Sequence, residues 1–471
     1  MKKAIGLAAS LSLVLTGCMV GPNYRRPAVQ PPEAFRSTAP APTAEQASLS
    51  DLKWWEVFKD DALQGLIRAA LIGNYDLQNA AARIEAARAG LGITRSERLP
   101  NLALTGEVAT NRFSRNGAST LPEEFVPSQS RTFGTATLDL LSFEIDLWGR
   151  LRRATEAARA GLLGAEENRK AVITTLVSDV AAAYFGLREL DYELEISRRT
   201  LELRRASLDL VRIRHDGGVA TLLDLREAEQ LVFSAAEIIP RLEQQIAQTE
   251  NRISLLLGRN PGPIERGRAL TEQELAPEVP AGLPSALLER RPDIRAAEQD
   301  LVAANAGIGV ARAAYFPRIS LTGYLGGQST QLASLFSASH GVWNLAPQAT
   351  QPIFAAGRTR STVQLAEARR QGAQVAFQKT IRSAFAEVSD ALIACQKERE
   401  SRVQQELLLH ALQDRTRLAY VRYRGGVDTL LHALDADRDQ FQAELTLSRI
   451  KLNELLGVVR LYKAVGGGWQ Q

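Results

Sequence analysis

DLQNAAARIEAARAGLGITRSERLPNLALTG occupies residues 76–106, and DIRAAEQDLVAANAGIGVARAAYFPRISLTG occupies residues 293–323. The two stretches align without a gap at a shift of 217, which sets Gly90, Arg95, Pro100 and Gly106 on Gly307, Arg312, Pro317 and Gly323. Further along the shift is 208: Gly149-Arg150 falls on Gly357-Arg358, and IRHDGGVATLL (213–223) falls on VRYRGGVDTLL (421–431). The nine-residue difference lies in a loop at about 111–131, longer in the first copy. The chain is a tandem duplication, and each copy is one structural unit repeated.

Each copy carries the same order of elements. A helix over about 76–99, and again over 293–316, ends at Pro100 or Pro317, because the residue before a proline is pushed out of the helical region. Next comes a period of two. Leu102, Leu104 and Val108 alternate with Thr105 and Glu107, and Ile319, Leu321 and Leu325 alternate with Ser320, Thr322 and Tyr324. That alternation predicts a strand with one apolar and one polar face. A second strand is expected at about 133–146 and 342–353. A long helix then runs to the Gly217-Gly218 or Gly425-Gly426 turn, and another returns to about 257 or 463. Leu187, Leu194, Leu201 and Leu208 recur every seven residues, the spacing of coiled-coil packing. A helix of roughly 60 residues is about 90 Å long and cannot fold around a compact core; it must lie beside other long helices.

Proline placement marks the boundaries. Six of the 19 prolines precede residue 43, another six lie from Pro261 to Pro292, and none falls between Pro127 and Pro240 or after Pro352. The expected organisation is a signal segment at 1–17, an extended segment at 18–60, a first repeat at 61–260, a connector at 261–291, and a second repeat with the C-terminal segment at 292–471. Pro240 stands where the second copy has Ser448, and a kink is expected there.

With 45% apolar and 23% charged residues the composition is that of a folded protein. The net charge is +4, with both signs interleaved as in RRASLDLVRIRHDGG (204–218), so nothing points to nucleic acid. Two cysteines, Cys18 and Cys395, rule out a disulfide framework. Lys2 and Lys3 followed by an apolar run from Ala4 to Leu15 form a secretory signal too short to span a bilayer. Leu15-Thr16-Gly17-Cys18 resembles a bacterial lipobox. That resemblance implies cleavage before Cys18, a diacylglyceryl thioether and an N-acyl chain on it, and stable membrane anchoring. Met19 follows rather than an aspartate, so sorting to the outer membrane is expected. No other segment reads as a membrane helix, so any second membrane contact is expected through the strands.

Four strands cannot close a barrel, since the smallest membrane barrels have eight, and an open edge in lipid leaves backbone groups unpaired. Strands from two, three or four chains must combine. GPNYRRP (21–27), Trp54-Trp55 with Phe58 and Asp61, LLERRPDIRAAE (287–298), YFPRISL (315–321), GGVDTLLHALDADR (425–438) and Gly466-Gly467-Gly468-Trp469 together resemble the outer membrane factor family, in particular its lipoprotein branch serving resistance-nodulation-division (RND) pumps. The resemblance covers nearly the whole mature chain. It implies a mainly α protein with membrane β structure: a homotrimer forming a twelve-stranded outer-membrane β-barrel and a twelve-helix periplasmic α-barrel. It further implies an exit duct for drugs or other small toxic compounds, with a periplasmic adaptor (membrane fusion protein), an inner-membrane RND transporter and outer-membrane lipid as partners. Trp343 is then a candidate for the interfacial aromatic girdle, or a tryptophan packed beneath the loops. A protein-secretion duct and a lipid-tethered coiled-coil scaffold are the rival functions.

No Walker loop, GxSxG elbow, HExxH or CxxC occurs, and His215, His340, His410 and His432 are far apart. Neither an enzyme, a metal nor a cofactor is expected beyond the acyl groups. Asp435, Asp437 and Asp439 imitate the start of a calcium loop, but Gln440 stands where that loop needs glycine. Cys395 occupies the place of Leu187, which reads as a buried thiol. In the resembled family the glycine-pair tips converge and close the periplasmic end. The candidate gate residues are therefore Arg214, Asp216, Arg422 and Arg424 around Gly217, Gly218, Gly425 and Gly426, with Asp216 and Arg424 opposite in charge at equivalent positions. Carboxylates on a threefold axis would attract cations. Asp428 and Asp435 match the family pattern for such rings, whereas Asp224 is equivalent to His432.

Overall fold

The structure is a computed structural model that describes residues 19–32, 35, 52–112, 130–274 and 286–469. The expected signal segment, Cys18, most of the extended segment, the first hairpin loop and part of the connector lie outside the described residues. The chain divides into two compact units. The first comprises Met1–Ala28, Arg83–Ala165 and Ala297–Phe377, and the second Val29–Ala82, Glu166–Ala296 and Gln378–Gln471.

The duplication is visible residue by residue. After the short helix α1 (Trp54–Val57) and α2 (Asp61–Gly73) come α3 (Tyr75–Ser96), β1 (Leu102–Arg112), β2 (Ser130–Glu144), α4 (Arg150–Asp216) and α5 (Leu222–Leu256). After α6 (Leu287–Arg290), the second copy gives α7 (Pro292–Ala313), β3 (Arg318–Ser329), β4 (Gly341–Thr350), α8 (Arg358–Arg424) and α9 (Leu430–Ala464). α3 and α7 have 22 residues each, α4 and α8 have 67, and α5 and α9 have 35. α3 and α7 stop three residues before the expected ends. There the last turn tightens into i→i+3 bonds, as in Leu99 N–H to Ser96 O and Phe316 N–H to Ala313 O, before the proline forces an extended backbone. α5 runs as one unbroken helix through Pro240.

In the first unit the four strands form one antiparallel sheet in the order β1-β2-β3-β4. Its register puts Leu104, Leu138, Leu325 and Trp343 in one row, and Leu102, Leu140, Gly323 and Leu345 in the next. Side chains alternate across the pleat, so these residues share one face, while Glu107, Thr135, Asp139, Tyr324 and Asn344 take the other. Between Leu140 and Phe143 the register shifts. That bulge holds one extra residue and returns Phe143, opposite Leu321, to the apolar face. The apolar face is uncovered: Leu104 is 84% exposed and Trp343 75%. Trp343 therefore is not packed beneath the loops, which removes the second of its two sequence readings.

The second unit has an aromatic core. Phe58 meets Phe185 and Tyr462 edge-on at ring separations of 6.2 and 6.0 Å, and Trp54 meets Trp55 at 5.2 Å. Val177, Val180, Ala181, Tyr184 and Leu187 from α4 are fully buried in this core. One stretch of α4 is apolar enough by length and composition to cross a membrane, contrary to the sequence reading, but most of it is buried inside the protein. Cys395 packs against the same core, beside Gly457, and burial pushes its thiol up.

Candidate functional site at the coil tips

Each long helix ends in the same turn. Gly217 and Gly425 bond back to the carbonyls of Ile213 and Val421, and Gly218 and Gly426 adopt φ of +73° and +71°. That conformation costs a residue with a Cβ and not a glycine. The returning helix of the first copy starts with a capping box. Thr221 Oγ1 accepts from Asp224 N–H, and the Asp224 carboxylate accepts from Thr221 N–H. Asp224 thus has a local capping task that sequence reasoning did not assign to it. In the second copy Asp428 does more. It accepts from Thr429 N–H at 2.8 Å, pairs with Arg422 Nε at 3.0 Å, and lies 2.7 Å from His432 Nδ1. The Arg422 guanidinium first, then His432 and the Thr429 amide, hold its carboxyl down at about 2. Asp435 pairs with Arg438 one turn on, at 3.1 Å.

The four candidate gate residues are only partly brought together. Arg214 lies over the ring of Tyr423 at 4.7 Å, a contact between α4 and α8. Asp216 is exposed, with His215 Nδ1 3.4 Å away. Among the described residues, Asp216 and Arg424 do not pair with one another within the chain.

One buried polar link between coils is one that sequence reasoning missed. Arg204 of α4 is buried, with its Nε 2.8 Å from Asp437 Oδ2 of α9. Its Nη1 donates to Leu231 O of α5 at 3.1 Å, and its guanidinium sits 5.0 Å from the Phe441 ring. The surrounding apolar cluster includes Leu201, Leu208, Val232, Tyr423 and Leu434. A second polar layer lies at Glu189 and Glu193, both buried on α4, where Arg449 Nε of α9 reaches Glu193 at 3.1 Å. Burial, and then the neighbouring Glu193 charge, push Glu189 up to about 8.

These are the features of duplicated coils joined to a lipid-compatible sheet, and comparison with known proteins places them. The family description "Outer membrane efflux protein" matches residues 66–259 and 283–467. The chain belongs to the outer membrane efflux protein family. It is 37% identical to the probable efflux pump outer membrane protein TtgC of Pseudomonas putida over 476 residues, covering 100% of this chain and 97% of that one. It is 35% identical to the cation efflux system protein CusC of Escherichia coli over 462 residues, covering 98% of each. Among solved structures it resembles the open state of the Neisseria gonorrhoeae MtrE outer membrane channel, with a TM-score of 0.86, 34% identity, and coverage of 96% of this chain and 99% of that one. It also resembles the outer-membrane channel OprN, with a TM-score of 0.88, 30% identity, and coverage of 96% and 100%. As an outer membrane efflux protein it is an outer-membrane channel extending into the periplasm, and its family is one of transport rather than catalysis. The lipid-facing, uncovered side of the sheet follows from that location.

Proposed function

We propose that three copies of the chain close one exit duct, with twelve strands in the outer membrane and twelve long helices in the periplasm. The observation that carries this is the open four-stranded sheet. Among the described residues its outer strands β1 and β4 each have one unpaired edge, and its apolar face is exposed. In lipid such edges must pair. Exposed apolar residues on the coils, among them Ile213, Leu407 and Val421 at 60–70% exposure, support lateral contact with sister coils.

The duct works with a periplasmic adaptor and an inner-membrane RND transporter, and passes drugs or other small toxic compounds outward. Relatives named for toluene, antibiotic and cation efflux support a cargo chosen by the transporter rather than by the duct. The expected domain boundaries are kept in this reading: signal 1–17, anchored segment 18–60, repeats 61–260 and 292–471, and connector 261–291. Cys18 carries diacylglycerol and an N-acyl chain and is the anchor; no other cofactor is needed.

The tips form the gate. Arg214, Asp216, Arg422 and Arg424 lie around the glycine pairs, where charges from neighbouring copies meet. Asp428 and Asp435, with Asp224 behind them, supply the carboxylates of the lumen. Asp428 is ionised across the physiological range, as an ordinary aspartate is, and Arg422 and His432 hold it further down, which supports a fixed negative ring partly offset by Arg422. A single cysteine in β1 combined with one in β4 tests the assembly. Oxidation should yield species up to a closed trimer on denaturing gels, alongside single-channel conductance in planar bilayers. A monomer that neither crosslinks nor conducts would end the proposal.

A further inference from the structure

The first described residues, immediately after Cys18, are not a loose tether. Val20 N–H donates to Trp148 O at 3.0 Å, and Asn305 Nδ2 donates to Pro22 O at 2.9 Å. Tyr24 OH donates to Glu298 at 2.9 Å, and Arg26 pairs with the same carboxylate at 3.0 Å. At the centre is Arg153, the largest fully buried side chain in the chain's described residues, only 1% exposed. Its Nε donates to Val20 O at 3.3 Å, and its Nη2 donates to Gly21 O at 3.2 Å and Asn23 Oδ1 at 2.7 Å. Its Nη1 is left to Glu156, at 2.7 Å.

Two glycines make room for this seat. A Cβ on Gly21 would come 2.5 Å from Gly309 Cα, and a Cβ on Gly309 would come 2.7 Å from both Arg153 Cγ and Val20 O. The seat is also part of the corner where strands meet helices. Met19 packs on Gly149, whose φ is +78°, and Trp148 stacks on Phe316 at 4.7 Å while donating to Pro317 O at 2.8 Å. A guanidinium out of water needs its donors satisfied, and here three of Arg153's four hydrogen bonds come from the N-terminal strap.

We propose that Arg153 is a positioning residue for the acylated N-terminus: it clamps Met19–Arg26 into the strand–helix corner, so that the acyl anchor on Cys18 is held at the base of the lipid-facing sheet. Cys18 is one residue from Met19, and consecutive Cα atoms are about 3.8 Å apart, so the clamp sets where the acyl chains leave the protein. The clamp, and not the acyl group, seats the strap. This rests on the reading of Cys18 as acylated, and the mass of the N-terminal peptide reports acylation separately from seating.

The test uses the full chain purified in detergent, with trypsin cleavage after Arg25 as the readout of seating. Arg153→Met keeps the bulk and removes every donor. It should be cleaved at least ten-fold faster than the parent while still acylated. Gly309→Ala is the independent variant, since alanine favours α7 more than glycine does yet blocks the strap, and it should show the same gain in cleavage. Cys18→Ser, exported on a signal cleaved without acylation, should keep the parent's resistance. Spin labels at Met19→Cys and Phe354→Cys, in a Cys395→Ser background and with labelled chains diluted among unlabelled ones, add a measurement that general loosening would not reproduce: one narrow intrachain distance with Arg153 intact, and a broad distribution in Arg153→Met with an unchanged oligomer. Equal cleavage rates in parent, Arg153→Met and Gly309→Ala would overturn the proposal, as would loss of protection in Cys18→Ser alone.

Discussion

Removing Asp437 from the Arg204 link tests whether the coils of one copy are held by that pair. Arg204 is buried, and its Nε–Asp437 distance is 2.8 Å. In Asp437→Ala the guanidinium keeps only its bond to Leu231 O and its contact with Phe441. An uncompensated buried charge of this kind costs about 3–5 kcal/mol; because the Asp437 side chain is 17% exposed, water can enter, and about 3 kcal/mol is expected. Arg204→Met/Asp437→Leu removes both charges and fills the same space, and it should lie within about 1 kcal/mol of the parent. Stability is read as the temperature at which the oligomer dissociates, and gating as single-channel open probability in planar bilayers. Asp437→Ala should dissociate at lower temperature. The double variant should match the parent in dissociation but open more often, since the ion pairs left between α4 and α9 among the described residues are Arg199–Glu444 and Glu193–Arg449, further from the tips. A double variant as labile as Asp437→Ala would refute the energetic reasoning. A stable double variant with the parent's open probability would remove the pair from the gate.

Three further outcomes are expected. Glu189→Gln should stabilise the coils at pH 8 by up to about 4 kcal/mol and change little near pH 4.5. The folded-state value, pushed up to about 8 by burial, lies above the ordinary 4.5, so this group's stability is full below 4.5 and is lost as pH rises through 8; thermal dissociation at both pH values checks it. Asp60→Asn should cost about 2–4 kcal/mol in the same assay, because the carboxylate accepts from Ala62 N–H, Leu63 N–H, Tyr184 OH, Arg268 N–H and Gln273 Nε2. Burial opposes ionisation of Asp60, but these bonds outweigh it and lower its pKa, so its contribution is present above the usual carboxylate range and is lost on acidification below about pH 4. Neutralising Asp428 and Asp435 to asparagine should reduce cation preference in planar bilayers, and unchanged reversal potentials would remove both from the lumen.

The duplication makes the helices and strands legible in the amino-acid sequence, because equal spacing in two copies fixes element order and length together. The sheet's apolar face follows from the period of two in residues 102–108 and 319–325. The bulge after Leu140 does not, since one inserted residue is decided by cross-strand register rather than by local pattern. The tips are marked by Gly217-Gly218 and Gly425-Gly426, whose left-handed turns only glycine adopts freely. Arg204 reads in the sequence as one charge in a mixed run. A signal is nonetheless present: it stands three residues after Leu201 and four before Leu208, at the second core position of the leucine heptad. The Arg153 clamp gives no such signal. Its partners lie about 130 residues away in sequence, and only the fold brings them to it.

The two copies share backbone geometry and differ in their polar contacts. Arg204 and Asp437 come from different copies, and their equivalents by the 208-residue shift are Leu412 and Glu229. Glu229 turns to Arg226 on its own helix instead. Asp216 faces Arg424 in the same alignment, and Asp224 faces His432. Six identical hairpins in a ring would have six identical seams, and a force that parted one would part all. With unlike copies the buried Arg204–Asp437 pair has no counterpart at Leu412 and Glu229, whereas exposed pairs contribute about 0–1 kcal/mol each. On the proposed gate, a partner at the tips would part the levels that lack such a pair first, and the Arg204–Asp437 layer would resist longest.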